Sequence, residues 1–176
     1  FLIYMNIFLL GYMGCGKSFF SKKLSEITSM DFIDLDDLIE IKEKKSIADI
    51  FLKNGEEYFR KIENIELNSL VKKKEYIIST GGGTPCFFKN INLMNRFGIT
   101  VYLKKKPKSL YDNLIKSNKK RPVFDSFKTK NEFFNNFKYR EQFYLKSKII
   151  IECDFISNKE IISKINYKLN ENRFKK

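Results

Sequence analysis

The sequence has no histidine among its 176 residues. Catalytic Ser-His pairs, HExxH zinc sites and acid–base chemistry by imidazole are therefore excluded. Any proton transfer has to use a carboxylate, a lysine, a tyrosine or water. The residue inventory thus removes several common enzyme mechanisms before any motif is considered.

Cysteine is also scarce, with only Cys15, Cys86 and Cys153. The number is odd and no two of these residues have CxxC spacing, so the sequence indicates neither a disulfide framework nor a zinc site. This pattern favours a reducing compartment, and we expect a cytoplasmic protein.

Long apolar runs are absent as well. The N-terminal "FLIYMNIFLL" is interrupted by Asn6, has no basic segment before it and is far shorter than the ~20 apolar residues of a spanning helix. We expect a soluble protein with no membrane span or export signal, and Met5 is a plausible start after residues 1–4. A chain of this length with 43% hydrophobic residues can bury one sizeable core, which predicts a single domain over residues 1–176.

Acidic residues are outnumbered, because 21 Asp+Glu face 34 Lys+Arg and the formal net charge is +13. Clustered lysines can bind nucleic acid backbones, which leaves a nucleic-acid role as an alternative. The basic residues are mostly scattered lysines, however, and no RNP-like or helix-turn-helix signature is present. Attraction of small anionic substrates is the more economical interpretation, and we expect no nucleic acid partner.

Short apolar runs alternate with longer amphipathic ones, with no repeat and no Pro/Gly-rich linker. Strands are predicted at residues 6–10, 31–35, 75–80, 99–103 and 148–152. Helical patterns cover about residues 17–29, 37–73 with breaks near Ser46 and Gly55, 88–96, 107–117, 131–147 and 158–171. Apolar strands separated by helices predict βαβ units and an α/β fold with a mostly parallel sheet. In such sheets ligands bind beyond the carboxyl ends of the strands.

The segment "SNKKRPVFDSFKTK", residues 117–130, separates two of these helical patterns. It is polar and basic, with Pro122 near its middle. The segment is interpreted as a mobile lid, and a solvated surface loop is the alternative.

Glycine occurs only eight times, and six of the eight lie in two short clusters. The first cluster holds Gly11, Gly14 and Gly16 in "GYMGCGKS", between a predicted strand and a predicted helix. The pattern GxxxxGKS in that setting indicates a P-loop. Its backbone N–H groups wrap phosphates, Lys17 contacts the β/γ-phosphates and the Ser18 hydroxyl ligates Mg²⁺. The spacing differs from the dinucleotide fingerprint GxGxxG, so NAD is not expected.

The second cluster is Gly81, Gly82 and Gly83 in "IISTGGGTP". It offers successive backbone N–H groups beside the P-loop, with Ser79 or Thr80 near the metal. Three consecutive glycines exceed what a turn needs, which favours the close approach of a substrate. A tight turn from strand to helix is the alternative.

Carboxylates follow the second predicted strand in "DFIDLDDLIE". Asp34 and Asp36 occupy alternate positions of an extended segment, so both can face the same site. Together they can hold Mg²⁺ and orient a hydroxyl. Alternatively, Asp36 or Asp37 caps the following helix.

Arginine is rare in this lysine-rich chain and occurs only as Arg60, Arg96, Arg121, Arg140 and Arg173. A planar, bidentate grip on carboxylate or phosphate is a reasonable first interpretation of each, and a plain surface position is the alternative. Arg60 and Glu63 are spaced i,i+3 in a helical pattern, so Glu63 can orient the guanidinium.

Taken together, these motifs resemble the shikimate kinase family nearly end to end. The resemblance rests on "IFLLGYMGCGKS", "FIDLDDLIE", "SIADIFLKNGEEYFRKIE", "IISTGGGTP", "KKRPVF" and "YREQFY", in the family's order. It implies a five-stranded parallel sheet with helices on both faces, a P-loop and a lid. The implied reaction is ATP-dependent phosphorylation of the 3-hydroxyl of shikimate, with Mg²⁺ as cofactor and no histidine required.

The resemblance also implies roles for individual residues. Lys17, Asp36 and Arg121 would be catalytic, with Asp36 orienting or deprotonating the attacking hydroxyl. The metal would lie at Ser18 and Asp34. The implied ATP site comprises Gly11, Gly14, Cys15, Gly16, Lys17, Ser18, Phe19 and Arg121. The implied shikimate site comprises Asp36, Arg60, Gly81, Gly82, Gly83 and Arg140.

Some inferences from the resemblance are weaker. The segment "CDFISNKE" falls where the family packs the adenine, but it matches poorly. Family behaviour implies a monomer by analogy alone. Two other functions stay open at this point: phosphorylation of gluconate or a nucleoside monophosphate on the same fold, and a nucleotide-binding or RNA-associated protein without catalysis.

Overall fold

The computed structural model of this chain describes residues 5–117 and 120–174. Residues 1–4, which precede Met5, lie outside these ranges. So do residues 118 and 119 of the predicted lid, and residues 175 and 176.

Five strands form one parallel sheet, as the apolar runs predict. They are β1 (Asn6–Leu10), β2 (Asp31–Asp34), β3 (Tyr76–Ser79), β4 (Gly98–Lys104) and β5 (Ile149–Glu152). The strand order is β2-β3-β1-β4-β5, so β1 lies at the centre with β3 and β4 beside it. The carboxyl ends of β1, β2 and β3 therefore meet at one edge of the sheet.

Eight helices connect or follow the strands in the described ranges. They are α1 (Lys17–Thr28), α2 (Leu35–Glu43), α3 (Ile47–Leu70), α4 (Asn90–Phe97), α5 (Pro107–Ile115), α6 (Pro122–Asp125), α7 (Lys130–Tyr144) and α8 (Asn158–Phe174). A single 3-10 turn at Thr84–Cys86 follows the triple glycine. The sheet and its helices confirm the predicted α/β fold.

The two predicted breaks in the long helical pattern are present. Ser46 caps α3, because its hydroxyl accepts a hydrogen bond from the Asp49 N–H. Gly55 interrupts the same helix at φ 81° and ψ 170°, a conformation that favours glycine. The segment from residue 37 to 73 is thus three pieces, as expected from the sequence.

Hydrophobic cores lie on both faces of the sheet. Along β1, Ile7 and Leu9 pack on one face against α1, α5, α7 and α8, whereas Phe8 and Leu10 pack on the other against α2, α3 and α4. This alternation follows from the twofold period of a strand. Burial on both faces explains why the inner strands β1, β3 and β4 are mostly apolar, whereas the edge strand β2 is partly exposed and begins and ends with aspartate.

The described part of the predicted lid contains a short helix that the sequence did not predict. This is α6, which Arg121 precedes. Phe124 and Phe127 pack with their ring centroids 6.0 and 6.3 Å from that of Phe133 on α7. Aromatic packing therefore anchors this segment, and its mobility stays a prediction.

No helix within residues 5–117 and 120–174 is both long and apolar enough to span a bilayer. Asn6, which interrupts the N-terminal apolar run of the sequence, is the first residue of β1 and is buried.

The Asn6 side chain joins β1 to the segment between α3 and β3. Its amide donates to the Lys73 carbonyl at 2.8 Å, and its Oδ1 accepts from the Tyr76 N–H at 3.0 Å. A buried amide that satisfies backbone groups on a neighbouring segment is costly to remove, because its partners cannot then reach water.

Replacing Asn6 with Ala should therefore lower the free energy of unfolding by about 2 to 3 kcal/mol. Urea denaturation followed by circular dichroism measures this change. Asn68→Ala is the matched control, since Asn68 is exposed and its amide bonds only within α3. A loss as small as that of the control would contradict the role of Asn6.

Candidate active site

The P-loop follows the central strand β1 and ends at the start of α1. Gly11, Gly14 and Gly16 have φ values of 147°, 84° and 97°. At Gly16 the positive φ favours glycine, and an added Cβ would also make a tight contact of 3.1 Å with the Phe20 ring. Lys17 Nζ donates to the Gly11 carbonyl at 2.8 Å, which places the ammonium group over the loop.

Oxygen atoms gather beside the P-loop at the ends of β2 and β3. The Ser18 hydroxyl donates to Asp34 Oδ2 at 2.5 Å and lies 3.4 Å from the Ser79 hydroxyl. No group of three His, Cys, Asp or Glu residues in the described ranges could hold a metal by itself. One carboxylate, hydroxyls and the phosphates of a nucleotide suit Mg²⁺, which keeps most of its ligands as water or phosphate oxygen.

Asp34 also caps α2, because its Oδ1 accepts from the Asp36 N–H at 3.0 Å. The alternative that Asp36 or Asp37 caps the helix is therefore wrong. The helix begins at Leu35, two residues earlier than the pattern predicted, and the cap moves back with it. Asp36 lies in the first turn of α2.

Two adjacent cavities lie at this edge of the sheet. The first, of about 550 Å³, is bordered by the P-loop and includes Lys17, Ser18 and Asp34. The second, of about 320 Å³, includes the predicted substrate residues Asp36, Arg60, Arg121, Arg140 and the triple glycine. Asp36 and Arg121 border both cavities. A ligand in one cavity can therefore meet a ligand in the other at these two side chains.

Arg60 is a buried cation with two carboxylate partners. Its Nη1 donates to Glu63 Oε2 at 2.8 Å, and its Nε and Nη2 donate to Glu56 Oε1 at 3.1 and 2.9 Å. Burial alone lowers the pKa of Arg60, but Glu63 and Glu56 outweigh it and raise the pKa. The ring of Phe87 lies 4.6 Å from the guanidinium carbon and covers one face.

Arg121 and Arg140 differ from Arg60 because neither forms an ion pair with another described residue. Arg140 is buried and lies over the ring of Tyr12, with 5.7 Å from its guanidinium carbon to the ring centroid. Burial lowers the pKa of Arg121, and the nearby carboxylate of Asp36 opposes this shift. The second cavity thus has two arginines without an ion-paired carboxylate in the described part of the chain, although four carboxylates also belong to its lining.

The triple glycine allows close packing of charged groups around the loop. A Cβ on Gly83 would lie 2.4 Å from Arg60 Nη2, and a Cβ on Gly81 would lie 2.7 Å from Glu63 Oε1. None of these glycines has a positive φ. Close approach, rather than an unusual turn conformation, therefore explains why glycine occurs here.

The sequence analysis missed several residues near this cavity, among them Glu56, Thr84 and Cys86. Glu56 precedes Arg60 by one helical turn, and its i,i+4 spacing is a signal that could have identified it. Thr84, whose hydroxyl donates to Glu63 Oε1 at 2.5 Å, offers no signal of that kind. Cys86 also lies near the arginines; burial raises the pKa of its thiol to about 12, although Arg140 and Arg60 act in the opposite direction.

The weakly matching segment "CDFISNKE" follows β5. Asp154 accepts a hydrogen bond from the Lys106 N–H at 2.7 Å, and Phe155 is almost fully exposed with Lys106 Nζ 4.7 Å from its ring centroid. Residues 154–158 border neither of the two cavities as the described residues define them. The adenine role of this segment stays a prediction.

Comparison with known proteins identifies the family. The shikimate kinase family model matches residues 13–170. A shikimate kinase from Azobacteroides pseudotrichonymphae genomovar. CFP2 is 43% identical over 168 residues, which cover 93% of this chain and 99% of that protein.

Solved structures agree with the sequence comparison. A shikimate kinase from Acinetobacter baumannii in complex with shikimate has a TM-score of 0.90 and 29% identity, covering 99% of this chain and 98% of that one. A deoxyadenosine kinase from M.mycoides shares only the fold, with a TM-score of 0.60 and 19% identity over 95% of this chain and 100% of that one. The resemblance drawn from the motifs is confirmed, and the chain belongs to the shikimate kinase family, P-loop enzymes that phosphorylate shikimate with ATP.

Proposed function

We propose that this chain transfers the γ-phosphate of ATP to the 3-hydroxyl of shikimate, giving shikimate 3-phosphate and ADP on the route to aromatic amino acids. The observation that carries the proposal is the pair of cavities joined at Asp36 and Arg121. One cavity has a phosphate-binding loop, and the other has cations suited to a carboxylate. The acceptor hydroxyl and the γ-phosphate would meet where the cavities join.

The phosphates of ATP would lie on the P-loop. Its backbone N–H groups and the N-terminus of α1 favour negative charge, and Phe19 in the first turn of this helix borders the same cavity. Lys17 would move its hydrogen bonds from loop carbonyls to phosphate oxygens. Arg121 would approach the transferring group from the opposite side, at the wall that both cavities share.

The cofactor would be Mg²⁺, held by Ser18 and, directly or through water, by Asp34. When bound, the ion neutralises phosphate oxygens and fixes their orientation. The hydrogen bond between these two side chains already places both oxygens toward the P-loop cavity. The chain therefore provides few direct ligands and relies on the nucleotide for the others.

The carboxylate of shikimate would bind Arg140 and Arg60, with the triple glycine forming the wall between them. Glu56 and Glu63 already pair with Arg60, whereas Arg140 forms no ion pair with another described residue and can pair with the ligand. A ligand without a carboxylate would leave this buried cation without a partner. That penalty is the physical basis of specificity.

Asp36 would orient the attacking hydroxyl and accept its proton. It borders both cavities, which is the position that a base for this reaction has to occupy. Phosphoryl transfer needs positioning and charge neutralisation more than covalent chemistry. A chain without histidine can therefore perform the whole reaction with carboxylate, lysine, arginine and backbone groups.

We also propose that residues 1–176 act as a single kinase domain, as a monomer and without a nucleic acid partner. A cytoplasmic location is supported by the three cysteines, none of which forms a disulfide in the described chain.

The first test measures the initial rate of ADP formation with Mg-ATP, alone and with shikimate, gluconate or AMP. We expect a rate that depends on shikimate alone and that stops when EDTA removes the metal. Turnover with gluconate or AMP instead would contradict the proposed acceptor. Absence of turnover with all three acceptors would contradict the proposed activity.

Arg140→Ala should raise the KM for shikimate about 100-fold, because removing one partner of a buried charge pair costs on the order of 3 kcal/mol. The KM for ATP should stay within about twofold of wild type, because the variant removes a contact with shikimate and none with ATP. Steady-state kinetics with each substrate varied in turn measures both values.

Arg96→Ala is the control for this variant, because Arg96 is exposed on α4, away from both cavities. It should leave both KM values unchanged. Equal KM values for shikimate in Arg140→Ala and wild type would sink the carboxylate assignment.

Asp36→Asn should lower kcat by about 100-fold or more, which is the usual contribution of a positioned general base. The amide keeps the size of the side chain but cannot accept the proton. Asp31→Asn, at the exposed amino end of β2, is the control and should retain full activity. A kcat for Asp36→Asn within threefold of the control, measured by the same ADP assay at about pH 7.5, would rule out Asp36 as the base.

A further inference from the structure

Thr84 has no role in the proposed reaction, yet its hydroxyl contacts the buried ion pair of Arg60 and Glu63. This pair borders the second cavity, which is the proposed substrate cavity. The residue is fully buried at the start of the 3-10 turn that follows the triple glycine. Its hydroxyl donates to Glu63 Oε1 at 2.5 Å. Glu63 in turn accepts from Arg60 Nη1 through its other oxygen at 2.8 Å. The three side chains form one continuous chain of hydrogen bonds that ends at the cavity.

Glu63 depends on both of these donors. It is completely buried, and a buried carboxylate is costly unless its oxygens accept hydrogen bonds and its charge is paired. Arg60 satisfies Oε2 and supplies the opposite charge, whereas Thr84 satisfies Oε1. Loss of the hydroxyl would leave Oε1 without its donor.

A second carboxylate approaches the same point. A Cβ added to Gly81 would lie 2.7 Å from Glu63 Oε1, 2.9 Å from Asp36 Oδ1 and 3.0 Å from the Thr84 hydroxyl oxygen. Glu63 and Asp36 are both carboxylates, and two carboxylates repel each other at short distance. The Thr84 hydroxyl donates to Glu63, which keeps this carboxylate directed toward Arg60.

The Thr84 backbone is fixed from both sides, so the hydroxyl has a defined position. Its N–H donates to the Gly81 carbonyl at 3.2 Å, and its carbonyl accepts from the buried Asn90 amide at 3.0 Å. A donor that is held by its own backbone can orient a carboxylate, because little rotational freedom remains to be lost.

We propose that Thr84 is a positioning residue for substrate binding: through Glu63 it holds the Arg60 guanidinium in the orientation that receives the shikimate carboxylate. This inference rests on the proposed function, because it assumes that Arg60 binds that carboxylate. Thr84 itself touches neither substrate nor nucleotide in this scheme. Its effect is on binding of the acid, and kcat and the ATP site should be independent of it.

The test compares Thr84→Val, which replaces the hydroxyl with a methyl group, Thr84→Ala, which only removes it, and Thr84→Ser, which keeps it. We expect the KM for shikimate to rise about tenfold in Thr84→Val and Thr84→Ala, as for loss of one hydrogen bond to a charged group. We expect kcat and the KM for ATP to stay within about twofold of wild type, the pattern of lost ground-state binding. Thr84→Ser should restore the wild-type KM for shikimate.

Thr100→Val is the matched control. Thr100 lies on β4 and is equally buried. Its hydroxyl donates to Asn95 Oδ1 on α4 at 2.5 Å, and neither residue borders either cavity. This variant should lower the thermal unfolding midpoint without changing the KM for shikimate. It therefore separates loss of a buried hydroxyl in general from loss of this particular hydroxyl.

Three outcomes would overturn the inference for Thr84. They are an unchanged KM for shikimate in both Thr84→Val and Thr84→Ala, an equal rise in the KM for ATP, and a failure of Thr84→Ser to restore binding. Each outcome presupposes a wild-type enzyme that turns over shikimate. Wild-type protein that is inactive toward shikimate would refute the proposed function instead, so the two failures are distinct.

Discussion

The buried ion pair between Arg60 and Glu63 is the interaction on which the substrate cavity depends. Both side chains are shielded from solvent, and without Arg60 the carboxylate of Glu63 would be an unpaired buried charge. Three neighbouring features surround this pair. The glycine loop has no side chains and can therefore approach it closely. The Phe87 ring packs against the guanidinium, and the Thr84 hydroxyl donates to the second oxygen of the Glu63 carboxylate. A charged pair of this kind stabilises little by itself, but it fixes the orientation of a cation at the wall of a cavity.

The three cavity arginines are in different electrostatic states although they share one residue type. Arg60 is balanced by two carboxylates, whereas Arg140 and Arg121 form no ion pair in the described ranges. Arg60 is held in a fixed orientation by its two carboxylates, whereas Arg140 and Arg121 have no ion pair that a bound anion would have to displace. This division suits the recognition of a small anion, since two arginines can pair with it while the four carboxylates of the lining limit the net positive charge of the cavity.

Much of the fold and many of the site residues could be predicted from the sequence, because short Ile/Leu-rich runs define buried strands and the P-loop has a fixed spacing. The predicted bounds of all five strands are correct to within one residue. The start of α2 was wrong, since Leu35 faces the core and extends the helix to a cap at Asp34. Helix α6 was missed because four residues in a basic segment carry no helical period. Thr84 was missed because tertiary packing alone, rather than spacing along the chain, determines which carboxylate its hydroxyl meets.

The interruption of α3 at Gly55 divides the substrate cavity between two rigid segments. Residues on its amino-terminal side, including Ile47 and Phe51, form an apolar wall of the cavity, whereas Arg60 and Glu63 belong to the carboxyl-terminal side. A Cβ added at Gly55 would meet no heavy atom within 4 Å, so the positive φ, rather than close packing, favours glycine at this position. The apolar wall and the buried ion pair therefore lie on opposite sides of this interruption rather than on one continuous helix.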